Sequence, residues 1–168
     1  MPDITTIMAI DPGPVKSAWV IYTVPSKKVC RFGWSDNQFV ADILENYEDM
    51  VVNHLAIEHI GHYGTGMPAG RSVFDTCYWI GEFRRCWRPY PFTMLLRPTI
   101  KAHLCGSAKA KDGNVRQALI DRFPATGGGK TPQIGTTKKP GPLYGVSKHI
   151  WSALAVAVAW AEQQDKSK

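Results

Sequence analysis

Two acids in this chain are placed to do chemistry, because each closes an apolar run. Ile7-Met-Ala-Ile-Asp11 carries no polar residue before its carboxylate, and His54-Leu-Ala-Ile-Glu58 repeats the pattern. Short apolar runs read as buried strands, so each acid sits where a strand leaves the core. If the two strands run side by side in one direction, Asp11 and Glu58 emerge together, and two close carboxylates repel unless a cation lies between them. Mg²⁺ or Mn²⁺, hard ions that prefer oxygen ligands, answers that need and activates a water against a phosphodiester. Taken singly, Asp11 before Pro12-Gly13 is a turn former and Glu58 a solvated strand end. It is the pairing of the two, beside a basic region, that points to a metal site.

That basic region is local. The 168 residues carry a formal charge of +6, and positions 97 to 139 hold nine Lys and Arg against two acids, leaving the rest at −1. A basic segment on a near-neutral body suggests a polyanion, with a solvated lysine face as the alternative. Lys101, Lys109, Lys111 and Arg116 fall on a short helix, a glycine-bearing turn and the start of the next helix. Such a surface suits phosphate contacts that position a duplex without reading its bases. Two competing motifs fail. Gly127-Gly-Gly-Lys-Thr131 resembles a phosphate loop, but its required first glycine falls on Pro124 and Pro132 blocks the following helix. The histidines at 54, 59, 62, 103 and 149 make no zinc pattern with the cysteines.

The elements that must position the acids follow from periodicity and turn chemistry. Ile7 to Asp11, Ser17 to Thr23 and about Lys28 to Trp34 read as strands with short connections, an antiparallel meander. In the first connection Pro12 fixes its own φ and Gly13 permits a positive one. A helix is expected from Ser35, with Ser35 and Gln38 at capping-box spacing and Phe39, Ile43, Tyr47 and Met50 as its apolar stripe. The strand ending at Glu58 follows, then a helix over Ser72 to Trp87 with Ser72 and Asp75 at capping distance, then a strand from Phe92 to Leu96. Strands separated by helices imply right-handed parallel crossovers, so the fold class is α/β: a five-stranded mixed sheet, three antiparallel strands extended by two parallel ones, flanked by helices. Short helices are expected over Thr99 to Cys105 and Asp112 to Phe123, with Val115, Leu119 and Phe123 inward. A last, largely buried helix starts at a Ser147 cap and runs to about Gln163.

A single domain over 1 to 168 is the simplest organisation, with flexible loops at about 59 to 71 and 124 to 146. His62, Tyr63 and Met67 lie in the first loop, where Tyr63 is placed to stack on an unpaired base, unless the loop is an ordinary connection. A 44% hydrophobic content excludes a mainly disordered chain. Cys30, Cys77, Cys86 and Cys105 have no Cys-x-x-Cys spacing and read as reduced, buried thiols. The most apolar stretch, Ile150 to Ala161, is shorter than the ~20 residues of a bilayer span. The expectation is a soluble, cytoplasmic protein with no membrane partner.

Four weak motifs then agree in order and spacing. Ala9-Ile-Asp-Pro-Gly13, Leu55-Ala-Ile-Glu58, Pro98-Thr-Ile-Lys101 through Gly106 with Ala110 to Val115, and Ser152-Ala-Leu-Ala-Val-Ala157 resemble the RuvC-type Holliday junction resolvases, especially phage-encoded members. The resemblance implies a ribonuclease-H-like fold, a homodimer, and paired nicks in four-way DNA junctions with Mg²⁺ or Mn²⁺, in recombination and repair in a bacterial or phage-infected cell. It places Asp11 and Glu58 on two metal-binding acids, and Lys101 with the 109 to 116 segment on a DNA-binding region. The family presents two more active-site groups one helical turn apart on the last helix, the second an Asp. Here they are His149 and Ser152. His149 is then a catalytic candidate for orienting water or stabilising the leaving oxygen. Ser152 lacks the charge, which makes a junction-binding protein with weak or no cleavage the alternative function. Asp75 is a candidate for the missing acid, with helix capping as its competing role.

Overall fold

The computed structural model describes residues 6–46, 51–61, 70–88 and 90–166. Five strands, β1 (Thr6–Asp11), β2 (Lys16–Thr23), β3 (Lys28–Asp36), β4 (His54–His59) and β5 (Phe92–Leu96), form one sheet in the order β3-β2-β1-β4-β5. The β1–β2 and β2–β3 pairs are antiparallel, and β1–β4 and β4–β5 are parallel. Five helices complete the fold: α1 (Asn37–Glu45), α2 (Arg71–Cys86), α3 (Arg97–Cys105), α4 (Asp112–Ile120) and α5 (Ile150–Asp165).

β1 is apolar without alternation because both faces of the sheet are covered. Ile7 and Ala9 point into one core with Val20, Ala56, α3, α4 and α5, while Met8 and Ile10 point into another with Trp19, Leu55, Ile57, α1 and α2. α5 lies on β1, β2 and β4, and every residue from Ala153 to Ala161 is buried. Truncating Leu154, fully enclosed there, to alanine should cost about 2–5 kcal/mol.

The turn after β1 is tied from two sides. Ser17 Oγ accepts from Gly13 N at 3.2 Å and donates to Asn37 Oδ1 at 2.6 Å, and Asn37 Nδ2 donates to the Gly13 carbonyl at 2.9 Å. Gly13 has no positive φ, contrary to the sequence expectation. What demands glycine is the Lys16 carbonyl oxygen, which a Cβ would meet at 2.3 Å.

Helix starts and faces differ from expectation in several places. α1 begins at Asn37, because β3 continues to Asp36 and Ser35 Oγ is taken by the Trp19 indole N–H at 3.1 Å. Its buried face is Val40, Ala41 and Leu44, whereas Phe39 is exposed; Tyr47 and Met50 lie outside the described residues. α2 begins after Gly70, with no side-chain cap: Asp75 pairs instead with Arg71 at 3.6 Å. α5 starts at Ile150, and what Ser147 contributes is its carbonyl, which accepts from Ile150 N at 3.0 Å. α4 ends at Ile120, although Val115, Leu119 and Phe123 are all buried as expected.

The 124–146 segment has no helix, yet backbone hydrogen bonds knit it, Gly127 N to Pro132 O at 2.8 Å, Gly128 N to Lys139 O at 2.9 Å and Leu143 N to Gln133 O at 2.8 Å among them. Leu143 and Val146 anchor it in the α5 core. The proposed base-stacking loop, with His62, Tyr63 and Met67, lies outside the described residues. All four cysteines are free, but only Cys86 is buried, and Cys30 and Cys77 are exposed. Among the described residues no helix is long and apolar enough to cross a membrane.

Candidate active site

The parallel register Ile10↔Ile57 carries Asp11 and Glu58 out of adjacent strands at the same edge of the sheet. They open into a cleft of about 1100 Å³. Its walls include the Pro12–Lys16 turn, Trp34, Arg97 and Lys101 of α3, Asp112 and Arg116 of α4, and His149 and Ser152 at the start of α5. Ser152 is the position in the first turns of α5 that looks away from the core, which is why this helix can line the cleft and still be buried elsewhere.

The electrostatics of the cleft are those of crowded acids. Burial, and then the charge of Glu58, push the Asp11 carboxyl up to about 7, against the pull of Arg97 and a hydrogen bond from Ser152. Asp11 is therefore close to half protonated at neutral pH unless a further cation arrives. Glu58 already has a partner: Arg97 Nη1 lies 3.0 Å from its Oε1 and 3.3 Å from its Oε2. The other arm of Arg97 reaches Asp112 Oδ1 at 3.2 Å, and Lys101 Nζ approaches the same oxygen at 3.3 Å. The Arg97 hydrogen bond holds Asp112 below the usual carboxylate range. Burial works against the Arg97 charge, but Glu58 and Asp112 outweigh it.

At the mouth, the His149 ring stacks on Trp34 with centroids 5.5 Å apart, and Lys16 Nζ lies 4.9 Å from the same indole. Lys148, in the left-handed region at φ 46°, sets the direction from which His149 enters. Arg116 lies over Trp151 at 5.1 Å.

Asp11, Glu58, His149, Lys101 and Arg116, all singled out from sequence, thus come together in one cleft. Lys109 and Lys111 are exposed on the α3–α4 connection and do not line it. Asp75 does not reach it either; its ion pair with Arg71 is on the outside of α2. Asp112 sits at the first helical position of α4 and serves as the anchor of Arg97 and Lys101. Sequence reasoning missed Arg97 and Trp34 as site residues. A signal for Arg97 existed: it follows β5 directly, so it leaves the sheet at the same edge as Glu58, whose register partner is Leu95.

The donors facing the cleft floor, two carboxylates and the Ser152 hydroxyl, are all oxygen, which fits a hard divalent ion. Among the described residues no three His, Cys, Asp or Glu side chains converge as a metal-binding group. Mg²⁺, which keeps several waters and is often held by one or two carboxylates plus substrate phosphate, tolerates so small a set.

No protein-family model matches the chain, and no curated protein matches it by sequence. Solved structures do. The chain superposes on RuvC of Thermus thermophilus with a TM-score of 0.68 at 15% identity, over 96% of each chain. It superposes on T. thermophilus RuvC in complex with a Holliday junction substrate with a TM-score of 0.69 at 13% identity, over 97% of this chain and 96% of that one. The fowlpox virus Holliday junction resolvase gives 0.53 at 16% identity, over 94% of this chain and 99% of that one. The fold is the ribonuclease-H-like fold of these resolvases, a mixed sheet of three antiparallel and two parallel strands with flanking helices.

Proposed function

We propose that this chain is a metal-dependent, structure-selective DNA endonuclease that nicks four-way junctions. The observation that carries the reading is the juxtaposition of Asp11 and Glu58 at the ends of adjacent parallel strands, on the floor of a cleft walled by Arg97, Lys101 and Arg116. The same reading extends to this chain what the T. thermophilus complex is named for, a Holliday junction substrate.

In this mechanism Asp11 and Glu58 hold Mg²⁺ or Mn²⁺. A bound ion would supply Lewis-acid polarisation of the phosphoryl oxygen and a more acidic water. The protein supplies the rest. Lys101 and Arg116 fix the phosphate diester over the floor, and Lys109 and Lys111 extend the contact along the backbone outside the cleft. His149, held flat on Trp34, orients the attacking water or gives its proton to the leaving oxygen. Ser152 keeps Asp11 aligned through its hydroxyl. Two nicks in a two-fold symmetric junction require two such clefts, and one chain has one, so a homodimer belongs to the same reading.

A second reading, junction binding with weak or no cleavage, is favoured by one observation: among the described residues no His, Cys, Asp or Glu side chain completes a metal-binding group of three with Asp11 and Glu58. Incubation of an end-labelled four-way junction with Mn²⁺ separates the two. Wild type should nick it, and Asp11→Asn should not, while keeping or improving junction affinity because one negative charge facing phosphate is gone. Undiminished nicking by Asp11→Asn would remove this site from consideration; binding without nicking by wild type would leave the second reading.

A further inference from the structure

Arg97 is the most heavily engaged charged side chain of the cleft, and nothing in the proposed chemistry yet uses it. One of its nitrogens covers both oxygens of Glu58, at 3.0 and 3.3 Å, while the other holds Asp112 at 3.2 Å. Glu58 is largely enclosed, with 15% of its side chain exposed, so a cation shared with Asp11 competes with Arg97 for the same two oxygens. The guanidinium is thus the resident counter-ion of the acid pair, always charged whatever the pH.

We infer that Arg97 is an exchange residue: it neutralises Glu58 until a divalent cation takes that carboxylate, and then turns the nitrogen so freed to an oxygen of the scissile-strand phosphate. The inference rests on the metal-site reading of Asp11 and Glu58 given above. Three features of the cleft support the exchange. A guanidinium N–H that donates to a carboxylate oxygen donates equally to a phosphate oxygen, so the nitrogen on Glu58 can serve either partner. Asp112, on the first turn of α4 and itself steadied by Lys101 at 3.3 Å, keeps hold of the second nitrogen, so Arg97 released from Glu58 stays within the cleft. Arg97 is also more than a third exposed, which leaves a side for the incoming phosphate. Without the exchange, substrate would meet an acid pair whose Glu58 half is already taken by the arginine. With it, cation and substrate each help the other to bind: the cation frees the arginine, and the phosphate gives it a new partner.

Arg97 acts on the cation through Glu58, so the test reads the cation directly. Mn²⁺ is titrated into the full-length protein without DNA, free ion being followed by its paramagnetic resonance signal, for wild type, Arg97→Gln, Arg97→Lys and Asp11→Asn, with thermal unfolding of each variant as the check on folding. Asp11→Asn should abolish the binding, and Arg97→Gln should tighten it about tenfold, the size expected for removing a charge-assisted competitor. Arg97→Lys, which keeps the charge without the fork, should fall between. Junction affinity in saturating Ca²⁺ should drop about tenfold in Arg97→Gln and less in Arg97→Lys. Asp11-dependent Mn²⁺ binding that Arg97→Gln leaves unchanged would overturn the exchange and leave the metal site standing, as would an unaltered Ca²⁺-loaded junction affinity. If neither wild type nor Arg97→Gln shows Asp11-dependent binding, the metal-site reading itself fails and the exchange with it.

Discussion

The Trp34 indole and the His149 imidazole stack at the mouth of the cleft, 5.5 Å between centroids with planes inclined by 26°. Trp34 is 47% exposed even so, and it lies within β3 opposite Ala18, the residue that on its other side pairs with Asp11. A flat aromatic that fixes a histidine beside a carboxylate gives a proton-transfer group a defined plane.

His149→Ala should lower the nicking rate about a hundredfold, the usual worth of a general acid or base, and change junction affinity by less than about twofold. Trp34→Ala should lower the rate about tenfold by releasing the ring, and it should add little in the His149→Ala background. A double-mutant cycle on single-turnover rates checks this. Additive losses would mean that Trp34 acts on DNA and not on His149.

Ser152→Asp adds a carboxylate beside Asp11, already raised to about 7 by its burial and by Glu58. Without a cation the variant should melt below wild type, since a further carboxylate is enclosed beside Asp11 with no cation of its own. Mg²⁺ should restore the loss, stabilising by about 2.7 kcal/mol at a hundred times its dissociation constant. Thermal shift across an Mg²⁺ series reads this, and half-maximal nicking should move to lower Mg²⁺ in parallel. An Mg²⁺ response identical to wild type would show that position 152 does not face the cation.

The basic surface predicts salt dependence. If Lys101, Lys109, Lys111 and Arg116 each neutralise a phosphate, the log affinity of a dimer should fall against log salt with a slope of roughly −7. Lys109→Ala with Lys111→Ala should flatten it by about 4. Lys101 alone should matter less, because its ammonium is already paired with Asp112 at 3.3 Å. Fluorescence anisotropy of a labelled junction between low and high salt decides it, and a slope near zero would make these residues a solvated face.

His54, at the start of β4, is enclosed between Trp160, 4.2 Å away ring to ring, and Thr93, 3.0 Å from its Nε2. Burial pushes its pKa down from an ordinary 6.5 to about 4. The unfolded chain therefore binds a proton between those values that the folded one refuses, so the stability present above pH 6.5 is lost as pH falls toward 4. The loss should be about 3 kcal/mol from this group. Urea unfolding at pH 7 and at pH 4.5 should show a smaller difference for His54→Gln than for wild type; equal differences would place the acid sensitivity elsewhere.

The sheet and the meeting of Asp11 with Glu58 were legible because they rest on patterns of the chain itself: apolar runs, short connections, and the handedness of crossovers. Helix starts were less so. Ser35, Ser72, Asp75 and Ser147 have capping residue types, but the strand β3 overran the first, Gly70 displaced the next two, and Ser147 is used through its carbonyl. Capping spacing says where a helix is allowed to begin, and tertiary hydrogen bonds such as that of Asn37 to Gly13 decide where it does. Arg97 was counted as charge and not as geometry, because its two partners lie 39 and 15 positions away and nothing local announces them. Phe39 was placed inward by its helical spacing from Ile43, but the neighbouring stripe of Val40 and Leu44 is the one that the helix turns to the sheet.

Asp11 and Glu58 are separated by 47 positions, and they become neighbours only through the parallel pairing of β1 with β4, after the chain has passed through β2, β3 and α1. Parallel pairing of this kind closes late, since its loop entropy is lost before the contacts reward it. An unfolded chain therefore offers a cation no ready chelate, and the ion has little to hold in the folding transition state. Its effect belongs to the other side of the barrier: a bound cation should leave the speed of folding nearly unaltered and lengthen the lifetime of the folded chain. Loaded with the proposed cation, the acid pair that this long closure assembles would be a kinetic lock on the sheet.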